Sequence, residues 1–273
     1  MLTDIHRHLD GSLRPSTVRD LAARLDLAVP PDLRFTPGMG LDAALARFAF
    51  TLSLLQSAAA VRRVASEMCE DAAADDVSTL QIRFAPQLHG GHIEDIVDAA
   101  LEGAAGRAGI LLCGLYGEDP RVLDHLVNVA ATRPGAVGID LAGGPAPQHR
   151  WQLADYAGPF RRAETMGLDR TVHAGEGRPP AEIRVAIEVL GARRIGHGTT
   201  LLDDPAVVDL VLDRDVLIEA CPTSNVHTGV IPSIAAHPLA RWRALGIRVV
   251  VCTDNTLFSD ITLSEELRRV KEC

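Results

Sequence analysis

Two histidines stand two apart near the amino terminus, His6 and His8 in LTDIHRHLDGSL, and the segment closes on Asp10-Gly11, a turn signal. Strand side chains alternate with a period of two, so in a strand both imidazoles face one wall. Two neutral imidazoles on one wall make half of a zinc site, and the missing ligands must come from distant sequence that a folded sheet brings close. His173 in TVHAGE and Asp254 in VCTDN are the candidates, each at the end of a predicted strand. Such a set binds zinc through imidazole nitrogen and carboxylate oxygen at roughly 2.0 to 2.2 Å, and lowers the pKa of a water from about 15.7 toward about 7. Activated water then needs an electrophile and somewhere for its protons. Glu176, three residues after His173, can enter the same pocket as a general acid toward a ring nitrogen, and His197 in RIGHGT can take the proton of the water or orient it. Taken alone, the histidine pair is as well explained by a surface pair, Glu176 by a loop carboxylate and His197 by a core histidine. Their joint occurrence carries the weight.

These residues need a frame that carries them to one place. The predicted strands are the first segment together with Thr79 to Phe84, Ile110 to Tyr116, Ala136 to Leu141, Arg170 to His173, Arg194 to Ile195, Val216 to Ala220 and Ile247 to Cys252. Helical spacing runs over Arg14 to Leu25, with Ser12 as its expected cap and Pro15 in the first turn, then Leu41 to Gln56 and Ala58 to Ala74. Further helices are expected near Ile93 to Arg107, Arg121 to Ala131, Trp151 to Met166, Pro180 to Leu190, Pro205 to Asp213 and Pro238 to Leu245. Eight strands alternating with helices, with no linker or repeat across residues 1–273, predict one domain folded as an α/β (β/α)8 barrel; a doubly wound sheet is the lesser alternative. His6, His8, Asp10, Gly143, His173, Glu176, His197, Asp254 and Asn255 all fall at or just past strand carboxyl ends, the face on which barrel enzymes build their sites.

Composition narrows the field. The chain has 273 residues, 47% hydrophobic, and a net charge of -9 without runs of like charge, which argues against nucleic acid or an anionic membrane as partner. No apolar run reaches membrane-spanning length and no signal peptide is evident at the amino terminus. Cys69, Cys113, Cys221, Cys252 and Cys273 form no CxxC pair, and the middle three sit in apolar runs as expected buried thiols, so a reducing cytoplasm is the expected location. Lys271 is the only lysine, which leaves no residue for a Schiff base or for a carboxylated lysine bridging two metals.

The motifs DIHRHLDGSLRP, GIDLAGG, TVHAGE, RIGHGT, IEACPTSN with a following HPL, and VCTDN occur in the order seen in the adenosine deaminase family, which the chain resembles from first strand to last. The resemblance implies a barrel with one zinc ion, deaminating adenosine or 2'-deoxyadenosine to the inosine product and ammonia. It implies His6, His8, His173 and Asp254 as zinc ligands, Glu176 as proton donor to the ring nitrogen beside the reacting carbon, and His197 with Asp254 on the attacking water. Gly143 would offer its backbone to the purine, Asp10 would bind the ribose 5'-hydroxyl, and Asn255 would meet the imidazole part of the base; His8 also borders the substrate. The cytidine-type zinc deaminases need H-x-E paired with P-C-x-x-C; this chain has Cys221-Pro222 but no such pair.

Two departures from the family pattern bear on substrate and stability. Many members have Asp-Asp-Pro after the last strand, where this chain has Asp254-Asn255-Thr256; an amide at Asn255 donates a hydrogen bond without prior protonation. The chain also ends eleven residues after Thr262, where the family usually continues with further helices. Asp10 favours a nucleoside over the free base, since the family's adenine deaminases tend to carry Glu there. Leu45, Phe48 and Leu52 are read either as an apolar lid or as core. The alternatives are a deaminase of adenine or of a modified 6-aminopurine nucleoside such as aminodeoxyfutalosine, and a metal-binding homologue without turnover.

Overall fold

The strand-forming runs are short and aliphatic, and in the computed structural model, which describes residues 1–144, 146 and 148–271, each becomes one stave of a parallel sheet. The staves are β1 (Leu2–His8), β2 (Val77–Phe84), β3 (Gly109–Leu115), β4 (Ala136–Ala142), β5 (Asp169–Ala174), β6 (Arg194–His197), β7 (Leu217–Ala220) and β8 (Val249–Val251). They pair in chain order. Beyond β8 the ring closes on β1 through Asp254: the His8 N–H donates to the Asp254 carbonyl at 2.8 Å, and the Asp254 N–H to the His6 carbonyl at 2.8 Å. The expected (β/α)8 barrel is therefore the fold, and its seam lies at three of the proposed metal ligands.

Helices α1 (Pro15–Arg24), α2 (Leu41–Leu54) and α3 (Ala58–Ala74) fill the first crossover. The outer ring continues with α4 (Ile93–Ala104), α5 (Pro120–Ala131), α6 (Ala157–Thr165), α7 (Ala181–Glu188), α8 (Pro205–Asp213), α9 (Pro222–His227), α10 (Leu239–Ala244), α11 (Thr256–Ser259) and α12 (Leu263–Lys271). Because helices cover the outside and side chains fill the inside, strands such as β3, sequence GILLCGL, are buried nearly end to end. Ile82, Ile110, Leu112, Ile139, Val172, Ile195 and Ile218 belong to that core.

The structure departs from the sequence reading in detail. Pro15 takes the first helical position of α1, which makes Arg14 the cap residue, and it caps with no side-chain bond. Ser12 lies too far upstream to cap α1; its Oγ instead accepts the Thr256 N–H at 3.3 Å, tying the turn after β1 to α11. The helix expected from Trp151 starts only at Ala157, after a short 3-10 turn at Leu153–Tyr156. The short helices α9 and α11 stand where no helix was expected, and the stretch after Thr262 forms α12. No single described helix is long and apolar enough to cross a membrane. Cys69, Cys113, Cys221 and Cys252 are buried free thiols, as expected for the last three; Cys273 lies outside the described residues.

Candidate active site

At the carboxyl end of β1 both imidazoles turn to the barrel axis, as a two-residue spacing on a strand requires. His6 is fully buried, and its Nδ1 lies 2.8 Å from Oε2 of Glu219 on β7. His173, at the end of β5, holds Nδ1 3.2 Å from Oδ1 of Asp140 on β4. With each Nδ1 donating to a carboxylate, the lone pair of each Nε2 faces the common centre, the orientation a metal ligand needs. The His8 and His173 Nε2 atoms are 3.2 Å apart; Oδ1 of Asp254 lies 3.5 Å from His8 Nε2 and 3.7 Å from His6 Nε2. Four tetrahedral ligands at about 2.0 to 2.1 Å from zinc stand about 3.3 Å from each other. The His8–His173, His8–Asp254 and His6–Asp254 pairs are close to that spacing, and His6 Nε2 is buried with no hydrogen-bond partner, an orphan that a metal ion satisfies. These residues fit a metal.

The carboxylates beneath the histidines are themselves held. The guanidinium of Arg83 on β2, fully buried, bonds Oδ2 of Asp140 at 3.0 Å and Oε2 of Glu219 at 2.8 Å. Arg194 Nε stands 3.2 Å from the other Glu219 oxygen. Burial, reinforced by the charge of Arg83 and the neighbouring imidazoles, drives the His6 pKa far down, so that it is neutral; burial, His173 and Arg83 do the same to His8. Arg83, Asp140 and Glu219 were not singled out from the sequence. The signal was present, since a charged residue inside an apolar parallel strand must have a buried partner.

Glu176 and His197 sit beside this centre. Burial raises the carboxyl pKa of Glu176, which favours its protonated form, and lowers the imidazole of His197 to about 3. Oε1 of Glu176 accepts from the Thr228 hydroxyl at 3.3 Å, and Oε2 lies 3.7 Å from His197 Nε2. His197 and Asp254 both have left-handed backbones, φ 67° and 62°, uncommon away from glycine and concentrated at working sites. Gly196 precedes His197 because a Cβ there would lie 2.9 Å from the His6 ring.

His8, Gly143, His173, Glu176, His197, Asp254 and Asn255 line one cleft of about 440 Å³ to its mouth. Phe35, Leu41, Leu45 and Phe48 form its apolar wall, so Leu45 and Phe48 of the supposed lid face the cleft, whereas Leu52 does not. Asp10 lies off the lining, buried, with Oδ1 unpartnered and its carboxyl pushed up to about 7 by burial. Asn255 Oδ1 is also buried without a partner and packs on Gly11, where a Cβ would come within 1.8 Å of it. A larger cavity, about 1300 Å³ to its mouth, runs between Arg14, Asp71, Asp75 and Arg269, but no histidine or cysteine lines it.

The family model described as adenosine deaminase matches residues 2–273. The adenosine deaminase of Enterococcus faecalis is 33% identical, over 98% of this chain and 84% of that protein. Among solved structures, an adenine deaminase from Arthrobacter aurescens superposes with a TM-score of 0.89 at 24% identity, covering 99% of this chain and 87% of that one. An amidohydrolase from Burkhoderia ambifaria with bound Zn gives a TM-score of 0.82 at 22% identity, covering 98% and 79%. At those identities the structural likeness concerns the fold.

Proposed function

The chain belongs to the adenosine deaminase family, and from that premise we propose that it hydrolyses adenosine or 2'-deoxyadenosine to inosine or 2'-deoxyinosine and ammonia. The observation that carries the reading is the convergence of the imidazoles of His6, His8 and His173, with Asp254 Oδ1 beside His6 and His8 and with Glu176 and His197 next to them. We assign the metal as one zinc ion, held by His6, His8, His173 and Asp254. When bound, zinc supplies Lewis acidity that readies water for attack at neutral pH.

The chain's own groups do the rest. Glu176 enters the reaction protonated and gives its proton to the ring nitrogen next to the reacting carbon, which makes that carbon electrophilic. Its Oε1 is occupied by the Thr228 hydroxyl, which leaves Oε2 as the donor. His197 and Asp254 orient and deprotonate the water. Its oxygen bonds to the carbon and the amino group leaves as ammonia, so the atoms of water are divided between the two products. Gly143 presents its backbone to the purine and Asn255 its amide hydrogen to the imidazole nitrogen, while Asp10, buried just off the cleft lining, meets the 5'-hydroxyl by turning its unpartnered oxygen into the cleft. Phe48 and Leu45 keep bulk water from the ring. Buried free thiols suit a reducing cytoplasm.

The test is a spectrophotometric deamination assay on protein of known zinc content, with adenosine, 2'-deoxyadenosine, adenine and a modified 6-aminopurine nucleoside. Turnover of the first two supports the reading; turnover of neither overturns it. Glu176→Gln should keep its zinc and lose about 10² to 10⁴ in rate. A near-normal rate would remove Glu176 from the proton-donor role.

A further inference from the structure

The motifs CPTSN and HPL contribute a chain of hydrogen bonds that the mechanism above leaves unused. Leu239 opens α10, so its N–H has no partner within the helix, and it donates to Nδ1 of His237 at 3.1 Å. A backbone N–H can only donate, so Nδ1 of neutral His237 bears the lone pair and Nε2 bears the hydrogen. That Nε2 lies 3.3 Å from Oδ1 of Asn225, which therefore accepts. The Asn225 amide is thereby oriented, and its Nδ2 must point the other way, to Nδ1 of His197 at 3.0 Å and Oε1 of Glu176 at 3.5 Å. The parts are fixed in place. Asn225 is fully buried, with its N–H on the Cys221 carbonyl at 2.9 Å and its carbonyl taking the Ile231 N–H at 3.1 Å, while His237 packs edge-on against Trp242.

We propose that Asn225, oriented by His237, is a positioning residue that locks His197 in the tautomer with its hydrogen on Nε2 and pins Oε1 of Glu176. The proposal deepens the deaminase reading and rests on it for its consequence in catalysis. An imidazole that accepts at Nδ1 reaches the cleft as an N–H donor. His197 then holds the attacking water by donating to its oxygen, and the proton of that water goes to Asp254. The same amide leaves Glu176 only Oε2 on which to carry its proton. One side chain thus sets the polarity of both groups that flank the reacting carbon.

Long-range 1H–15N correlation spectra of zinc-loaded, histidine-labelled protein report the tautomer directly, with the His197 signals identified by their loss in His197→Gln. The expected wild-type pattern has Nδ1 bare and Nε2 protonated; a hydrogen on Nδ1 overturns the proposal. Asn225→Asp keeps the shape but offers only acceptors, so it should move the hydrogen to Nδ1 and lower kcat on adenosine by about 10² or more with KM little changed. An inverted tautomer with an unchanged kcat would refute the positioning role, as would an unchanged tautomer in that variant. The wild-type spectrum is read whether or not a nucleoside turns over, so failure of the deaminase reading and failure of the tautomer assignment give different results.

Discussion

Replacing Glu219 with Gln separates the charge beneath His6 from the hydrogen bond it provides. The carboxylate is fully buried, with Oε2 2.8 Å from both His6 Nδ1 and Arg83 Nη2, and Arg194 Nε 3.2 Å from Oε1. A glutamine of nearly the same shape keeps one acceptor for His6 and Arg83 but turns an NH2 toward Arg194. Breaking a buried pair from one side costs about 3 to 5 kcal/mol. Arg83 retains Asp140 at 3.0 Å, so the low end applies, about 3 kcal/mol, or a fall in Tm of roughly 6 °C for a chain of this size. The second effect is on the metal. A carboxylate bonded to a liganding histidine contributes about 10- to 100-fold in affinity, equivalent to about 1.4 to 2.8 kcal/mol. Competition with a chromophoric chelator measures the affinity, and thermal unfolding with and without the chelator measures the stability. The expected result is a lower Tm, zinc binding weakened by one to two decades, and kcat largely kept once zinc saturates the site. Folded Glu219→Gln protein with wild-type zinc affinity would refute the argument and leave Glu219 as a purely structural partner of Arg83.

Two further substitutions test other joints of the site. Gly11→Ala places a Cβ within 1.8 Å of Asn255 Oδ1 and must displace that side chain; KM for adenosine should rise with zinc content unchanged, and steady-state kinetics beside metal analysis would check it, an unchanged KM counting against Asn255 as a contact to the base. Glu266 on α12, buried with the Thr223 N–H at 2.7 Å, is pushed by burial from its ordinary 4.5 up to about 7. Between those values the folded chain keeps a proton that the unfolded chain has lost, so stability falls as pH rises through that window and is level above it. Glu266→Gln, neutral throughout, should therefore raise stability near pH 8 by up to about 3 kcal/mol and leave it near wild type at about pH 4; a Tm difference that is the same at both pH values would contradict this.

The sequence was most legible where one physical rule decided the outcome. A period of two put His6 and His8 on one face, and apolar runs alternating with amphipathic helices implied the barrel and its working rim. Boundaries blurred where a rule was local. Pro15 moved the start of α1 past Ser12, and a 3-10 turn took the first residues of the helix expected from Trp151. Helix α9 was hidden because its side chains Thr223, Ser224, Asn225 and His227 are buried and polar, so hydrophobic periodicity has nothing to register. Pro222 in its first turn was the available signal. Helix α12 is legible in principle, with Leu263 and Leu267 on one side and a Glu265–Arg269 pair on the other, but its nine residues are too few for the periodicity to stand out after the turn at Thr262. The buried charges escaped for a different reason. Nothing local in IRF, GID or IEA says that Arg83, Asp140 and Glu219 meet, because their meeting depends on the closure of the barrel.

That closure explains why such a core can hold so many ionised groups. Below the histidines, Asp140 and Glu219 face Arg83 and Arg194, and Asp4 faces Arg7 at 2.7 Å, so each buried carboxylate has a guanidinium beside it. Above them, Asp254 and Glu176 have no buried arginine in ion-pair contact among the described residues, and burial raises the pKa of both. On the proposed function, a dication at the imidazole centre would supply the charge that Asp254 lacks, whereas Glu176, beside His197, would keep its proton for the substrate. Two carboxylates of similar burial would then be driven to opposite protonation states by their distance from the metal. The ordering predicts that stripping the metal with a chelator raises the pKa of Asp254 while that of Glu176 moves less, which 13C carboxyl titration of the loaded and stripped protein would check; equal shifts at both residues would refute it.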